Sequence, residues 1–365
     1  MSCLAYRAIW CCSATQRPPP INMKTCLTLG SLFALATLSL AADPPPPKPT
    51  PDMQAVLDQL GELGGKSIAE LPPEEARKQP SPADAVKALL TKRNLSTEPE
   101  TVKNVEDKMI PAPAGDIPVR IYTPEGAGPF PVILYIHGGG WVIADLDDYD
   151  ATPRALTNAA KAVVVSTHYR QAPEHPFPAS HDDTFAAYKW VLANAASISG
   201  DPMRIAVAGE SAGGNMAVGI SLMARQQNIP LPVHQVLIYP VVSADLDTPS
   251  MQRNENAKPL SKAMMAWFGK HELQDPKDAQ NPRFNLLNAD LKGMPPTTLI
   301  AAEIDPLLSG GQKLAEKLQA AGVPVVYEEY PGVTHEFFGM GAVLKQSKDA
   351  VSLVANNLQK AFKKD

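Results

Sequence analysis

From Val102 onward, short unbroken runs of β-branched and aliphatic residues alternate with longer stretches of helical periodicity. Residues 132–136 and 163–165 show such runs most clearly. A strand consists of consecutive apolar residues when both of its faces are buried, as in a parallel sheet that crossover helices cover. The sequence therefore predicts an α/β fold with a mostly parallel central sheet and helices on both faces.

The alternation gives seven predicted strands and three predicted helices between them. The strands are Pro118–Tyr122, Val132–His137, Ala162–His168, Arg204–Ala208, Gln235–Tyr239, Thr297–Ala302 and Val325–Tyr330. The helices are Ala179–Ala195, Asn215–Gln226 and Gly310–Ala321. No internal repeat is visible, so we expect one large domain over 53–365.

Two segments outside the alternation are expected to form a helical cap. Apolar residues recur at helical spacing on either side of a Gly- and Pro-rich loop within 53–95, which indicates two amphipathic helices. Residues 248–292 interrupt the alternation and contain a predicted helix at Ser261–Leu273. These helices either cover core or form part of a lid over the active site.

The stretch from Met23 to Ala42 has the three parts of a secretory signal peptide. Lys24 provides the positive start, Leu27–Leu40 is an apolar run, and Ala41 and Ala42 offer a peptidase site. An uncleaved membrane anchor is the alternative, although the run is short for a bilayer. We therefore expect a secreted or periplasmic protein without an integral membrane span in its mature form. Residues 1–22 are then an upstream extension, and the proline-rich residues 43–52 an extended linker.

Composition excludes several classes of partner and cofactor. All four cysteines lie before residue 27, so the expected mature chain has no thiol for a disulfide or a metal site. The histidines share no metal-ligand spacing, and neither a metal nor another cofactor is expected. The formal net charge is −5 without a basic cluster, which argues against a nucleic-acid partner. A homodimer is left open.

The clearest chemical motif is Gly209-Glu210-Ser211-Ala212-Gly213, which matches G-x-S-x-G between a predicted strand and a predicted helix. A chain that turns sharply from strand to helix needs small residues on both sides of the serine. The helix that starts after the serine directs its N-terminal amides at a developing oxyanion. The sequence therefore predicts Ser211 as a nucleophile, with Glu210 anchoring the turn through hydrogen bonds.

A second motif, His137-Gly138-Gly139-Gly140-Trp141, directly follows the strand at 132–136. Three glycines at the end of a strand allow backbone N–H groups to point into a cavity and hold a negatively charged oxygen. The alternative is a flexible turn. HGGGW followed about seventy residues later by GESAGG resembles the bacterial hormone-sensitive-lipase family of esterases, within the α/β-hydrolases.

This resemblance covers about 102–362 and implies an oxyanion hole from the backbone of Gly139, Gly140 and Ala212. Gly138 is then a backbone-permissive neighbour. The stretch from Tyr169 to Ala179 is similar to the family's Y-R-L-A-P-E-x-x-F-P-A, and we expect it to be scaffold. His168 and Gln171 stand where the family often has Asp and Leu, and we expect neither to affect the chemistry.

Chain order predicts the acid and the base, because the fold places them after the serine as Asp or Glu and then His. Among the histidines after Ser211, only His335 lies beyond the strand Thr297–Ala302, in a loop similar to the family's G-x-x-H-x-F. Asp305 matches the family's D-P-L and is expected to fix the imidazole. An N-cap role is the alternative for Asp305, and Glu303 is the substitute acid.

These residues predict a serine carboxylic-ester hydrolase that uses Ser211, His335 and Asp305 and a small-molecule ester. The resemblance implies short- to medium-chain or aryl esters. Peptidase or acyltransferase activity on the same triad is the alternative within enzymes. A binding module that keeps the fold without catalysis is the alternative outside them.

Overall fold

The computed structural model describes residues 47–363. The predicted upstream extension, the signal peptide and the first part of the linker lie outside the described residues. Within 47–363, no helix is both long enough and apolar enough to cross a membrane.

The described residues form one eight-stranded sheet. Its strands are β1 (Asn104–Ile110), β2 (Ile117–Thr123), β3 (Phe130–Ile136), β4 (Val163–Thr167), β5 (Gly200–Glu210), β6 (Gln235–Ile238), β7 (Thr297–Ile304) and β8 (Val325–Thr334). They lie in the order β1-β2-β4-β3-β5-β6-β7-β8. Strand β2 runs antiparallel to both of its neighbours, and every other pair is parallel. The predicted mostly parallel sheet is thus confirmed.

Ten α-helices accompany the sheet within the described part of the chain. They are α1 (Pro51–Glu62), α2 (Pro73–Ala76), α3 (Pro82–Lys92), α4 (Ala151–Ala160), α5 (Ala179–Asn194), α6 (Ala212–Gln226), α7 (Pro249–Arg253), α8 (Lys262–Glu272), α9 (Leu308–Ala320) and α10 (Lys345–Phe362). Short 3-10 turns occur at Ile68–Glu70, Ala195–Ile198, Asp278–Gln280, Leu286–Asn288 and Phe337–Gly339.

Alternate residues of each central strand face opposite layers of helices. On β3, Val132 and Leu134 pack into a core with side chains of α5, α6 and α9. Ile133 and Tyr135 face the other way, into a second core with side chains of α1, α4 and α10. Both faces of the sheet are therefore covered, which explains why its central strands are continuous apolar runs.

All seven predicted strands are present, and β1 is the strand that the apolar pattern did not predict. Most of its side chains are exposed, and its one fully buried residue is Ile110. An edge strand with a solvated surface has no apolar run to reveal it. The sequence also did not predict the helices α2, α4, α7 and α10.

The linker boundary needs a correction. We expected extended backbone through Asp52, but α1 begins at Pro51, with the Thr50 side chain accepting the Met53 N–H at 3.4 Å. A threonine followed by proline is a favourable helix start, because proline at the first position loses no hydrogen bond. The Thr50 N–H also donates to the Gly332 carbonyl at 2.8 Å. The end of the expected linker is therefore part of the folded domain.

The sheet brings the predicted motifs to one edge. Ile136 at the end of β3 pairs with Gly209 near the end of β5, and Ile304 at the end of β7 pairs with Thr334 at the end of β8. Because these strands are parallel, their carboxyl ends meet at the same side, where open α/β sheets bind their ligands.

Candidate active site

Ser211 lies on a strained turn between β5 and α6. Its backbone has φ 55° and ψ −117°, a left-handed value that residues with a Cβ rarely adopt. Its N–H donates to the Ile238 carbonyl at 2.9 Å, and its own carbonyl accepts the N–H of Val241 at 3.1 Å. The neighbouring elements therefore fix the strained turn, and the side chain projects into a cavity.

Gly209 and Gly213 permit this turn because the chain passes too close for side chains. A Cβ on Gly209 would lie under 3.0 Å from the Gly213 carbonyl, and one on Gly213 would lie under 3.0 Å from the Ile136 carbonyl. Both obstacles are backbone atoms, which cannot swing away. The two glycines thus have the structural role expected from the motif.

The imidazole of His335 is paired with Asp305. His335 directly follows β8, Asp305 directly follows β7, and His335 Nδ1 lies 2.7 Å from Asp305 Oδ2. The other oxygen, Oδ1, accepts the Leu307 N–H at 2.8 Å, so the carboxylate is held at both ends. Both residues are buried. This contact fixes the imidazole orientation and leaves Nε2 facing away from Asp305.

Glu303, the substitute acid, is engaged elsewhere. Its Oε2 accepts the backbone N–H of Gly332 at 2.7 Å. The carboxylate therefore supports the end of β8, just before His335.

The electrostatics around His335 favour its protonated form. Burial by itself lowers the pKa of this imidazole. The charge and hydrogen bond of Asp305, together with the charges of Glu336 and Glu210, outweigh that effect, and the pKa of His335 is raised. A raised pKa makes a neutral imidazole a stronger base toward a serine hydroxyl.

Glu210 anchors the floor of the site. It is fully buried, and its carboxylate accepts hydrogen bonds from Tyr135 at 2.6 Å and from Tyr239. The Tyr239 ring in turn lies 4.4 Å from the His335 ring. Glu210 therefore links Tyr135 on β3 to Tyr239, whose ring lies against the imidazole. This role is additional to the expected one of anchoring the turn.

The glycine loop after β3 lies beside Ser211. Gly139 and Gly140 have positive φ values of 87° and 55°, and both line the cavity that contains Ser211 and His335. Ala212 is the first residue of α6, where backbone N–H groups have no partner within the helix. The structure thus brings together the three residues that the resemblance assigned to an oxyanion hole.

Side chains behind the loop hold its shape. The His137 ring stacks on Tyr169, its Nδ1 contacts the Gly138 carbonyl at 2.9 Å, and its Nε2 contacts His168 Nδ1 at 3.1 Å. Burial lowers the pKa of His137 to about 3, so this imidazole is neutral. Gln171 Nε2 donates to the carbonyls of Ile143 and Ala144, at 2.9 and 2.7 Å. The two departures from the family pattern, His168 and Gln171, therefore both support the glycine loop.

The scaffold stretch after β4 contains an ion pair between Arg170 and Asp183. Arg170 Nε and Nη2 donate to the two oxygens of Asp183, both at 2.8 Å. The bidentate geometry fixes the entry into α5.

The site opens into a cavity of about 470 Å³. Both segments expected to form the cap contribute to its wall. The contributing apolar side chains include Leu57, Leu60, Val86, Leu260, Met264 and Phe268. The space above Ser211 is therefore enclosed by the helices before β1 and by the insertion after β6.

Glu336, Tyr149 and Phe268 are among the lining residues that were not identified from the sequence. Glu336 and Tyr149 meet beside the imidazole, and Phe268 lies against Gly140. Glu336 follows His335 directly in the sequence, and this position next to the predicted base could have identified it as a candidate site residue. Nothing in the sequence marks Tyr149 or Phe268. Within 47–363, no group of His, Asp or Glu has an arrangement that could hold a metal ion.

Three features meet at one edge of the sheet: a serine on a strained strand-to-helix turn, a buried His–Asp pair and a glycine loop. Together they define a serine hydrolase of the α/β-hydrolase fold. A family profile described as alpha/beta hydrolase fold matches residues 133–339. Carboxylesterase NlhH of Mycobacterium tuberculosis is 39% identical over 284 residues, which cover 74% of this chain and 87% of the relative. The ethyl acetate hydrolase of Pseudomonas putida is 33% identical over 319 residues, 85% of this chain and 98% of the relative.

Solved structures agree with these relatives. An esterase from Pyrobaculum calidifontis superposes with a TM-score of 0.77 at 35% identity, covering 86% of this chain and 98% of the other. The chain belongs to the hormone-sensitive-lipase-like family of α/β-hydrolases, and it is a serine ester hydrolase.

Proposed function

We propose that this ester hydrolase acts on short- to medium-chain or aryl esters through an acyl-enzyme on Ser211. The observation that carries the proposal is that one cavity contains Ser211, the Asp305-bound His335 and the glycine loop. Its volume of about 470 Å³ lies toward the small end of ligand pockets. The Pseudomonas putida relative is an ethyl acetate hydrolase, which also favours small esters.

In the first half of the reaction, the Ser211 oxygen attacks the ester carbonyl carbon while its proton moves to His335 Nε2. The carbonyl oxygen becomes an oxyanion that the amides of Gly139, Gly140 and Ala212 stabilise. The carbon–oxygen bond to the alcohol then breaks, and His335 gives its proton to the leaving oxygen.

The second half repeats these steps with water. Water attacks the acyl carbon, His335 accepts a proton from it, and the proton returns to the Ser211 oxygen as the acid leaves. Asp305 stabilises the imidazolium that forms twice in each cycle.

A hydrolysis profile tests the substrate class. p-Nitrophenyl esters of increasing acyl length are assayed with the wild type and with Ser211→Ala. We expect kcat/KM to be highest for short and medium chains and to decline for long chains, because the helical cap encloses the cavity. Equal or higher activity on long chains would contradict the proposal.

The rival activities are separate outcomes of the same assay. Faster cleavage of matched p-nitroanilides would indicate a peptidase, and acyl transfer to an added alcohol in preference to water would indicate an acyltransferase. A wild type that cleaves none of these substrates and fails to react with a fluorophosphonate would be a binding module.

We also propose that the protein is exported to the periplasm or the medium. The support is the charged start, apolar run and small residues between Met23 and Ala42. N-terminal sequencing of protein recovered outside the cytoplasm should begin near Ala42 or Asp43. A start at Ser2 would contradict both the signal peptide and the upstream extension.

A further inference from the structure

A second carboxylate lies beside the catalytic imidazole, on the side opposite Asp305. Glu336 Oε1 is 3.8 Å from His335 Nε2, whereas Asp305 binds Nδ1 at 2.7 Å. Nε2 is the nitrogen that exchanges protons with the serine, the alcohol and water. The imidazole is thus flanked by two acidic groups, and only one of them has a role in the triad.

The position of Glu336 is fixed by its surroundings. Its Oε1 accepts the Tyr149 hydroxyl at 2.6 Å, and its backbone adopts a left-handed φ of 70°, which is uncommon for a residue with a Cβ. Tyr149 lies so close to the glycine loop that a Cβ on Gly138 would meet its hydroxyl. A strained backbone and a hydrogen bond from another element therefore direct the carboxylate toward the imidazole.

We propose that Glu336 is a positioning residue that stabilises the imidazolium from the Nε2 side and so strengthens His335 as the general base. This inference rests on the proposed triad. When Ser211 releases its proton, the positive ring lies between Asp305 and Glu336, and the attraction to both carboxylates lowers the barrier. Glu336 forms no bond to the substrate in this scheme and acts through His335.

The groups that face this pair come from every surrounding element. Asp305 follows β7, Glu210 ends β5, and Tyr239 follows β6. Tyr149 and Asp148 precede α4. Burial raises the pKa of Glu336 to about 7, against the opposing attraction of His335. Glu336 therefore changes its charge in the same pH range in which His335 must be neutral to act, and activity should depend on both groups.

Glu336→Gln tests the role because it removes the charge and keeps the shape. The charge loss lowers the pKa of His335, so the acidic limb of kcat/KM against pH should move to lower pH. A weaker base should also lower kcat at the pH plateau, by up to about tenfold for each pH unit that the limb moves. Glu316→Gln, the same change on an exposed face of α9, is the matched control and should leave both quantities unchanged.

Tyr149→Phe provides an independent readout. The Tyr149 hydrogen bond lowers the pKa of Glu336, so its loss should keep Glu336 protonated to higher pH. Activity should then fall near neutral pH and recover toward the wild-type value as the pH approaches 9. A defect that is the same at every pH would indicate a packing effect and would overturn the inference.

The outcomes separate this inference from the proposed function. A wild type that hydrolyses no ester refutes the proposed function. An active wild type in which Glu336→Gln gives the same pH profile and kcat as Glu316→Gln refutes the role of Glu336 alone. Thermal melting of each variant checks that the fold is retained.

Discussion

Glu272 is a buried carboxyl group in the cap, and we expect it to make the stability of the protein depend on pH. It ends α8 and has no exposed surface, and its Oε1 accepts the Ser180 hydroxyl at 3.2 Å. Its Oε2 has no hydrogen-bond partner among the described residues. Burial raises the pKa of Glu272 from its ordinary 4.5 to about 9. Glu272 is therefore neutral in the folded protein at neutral pH.

The sign and size of the effect follow from linkage. Between pH 4.5 and 9 the folded state holds a proton on Glu272 that the unfolded state has released, so stability falls as pH rises through this range. Each pH unit in this range lowers the free energy of unfolding by about 1.4 kcal/mol, so the loss at pH 7 is roughly 3 kcal/mol relative to acidic pH. Glu272→Gln keeps the shape without the ionisation, so this part of the pH dependence should disappear.

The assay is the free energy of unfolding from denaturant titrations at pH 5, 7 and 9. The wild type should lose roughly 3 kcal/mol relative to Glu272→Gln between pH 5 and 7, and more by pH 9. Glu255→Gln, at an exposed position of the same cap segment, is the control and should follow the wild type. Parallel pH profiles for the wild type and Glu272→Gln would refute the reasoning, because Glu272 would then have an ordinary pKa.

Three further substitutions test the site and the fold. Asp305→Asn should lower kcat by about 10³- to 10⁴-fold in steady-state assays, because the imidazole loses its orienting charge; a loss under tenfold would contradict that role. Gly213→Ala places a Cβ against the Ile136 carbonyl and should destabilise the protein by about 1–3 kcal/mol in denaturant titrations; an unchanged stability would refute the close approach. Ser81→Ala removes the capping box of α3 and should lower the free energy of unfolding by about 1 kcal/mol in the same measurement; an unchanged stability would contradict the role of the capping box.

The central strands were predictable from the sequence because burial on both faces produces unbroken apolar runs. Residues 132–136 and 163–165 lie in β3 and β4, next to each other in the sheet. Strand β1 was not predictable by the same reasoning, since its side chains are mostly exposed and show no apolar run. A pattern reveals an element only where packing constrains its residues.

Some residues of the site were likewise predictable from the sequence and others were not. Ser211, Asp305 and His335 follow strands in an order that the fold imposes, and chain order together with the motifs around these residues selected them. Glu336 and Tyr149 could not be paired from the sequence, because 187 positions separate them and only the folded backbone brings them together. The cap also has no fixed pattern, and the contact of Phe268 with Gly140 depends on how α8 packs.

The central claim is that Ser211 is the nucleophile that His335 activates. The most direct test is mass spectrometry of the protein after reaction with a p-nitrophenyl phosphonate, which leaves a stable adduct on an activated serine. We expect one adduct per chain, located on the peptide that contains Ser211, and none on the Ser211→Ala variant. An adduct on another residue, or an esterase that remains active without an adduct, would contradict the claim.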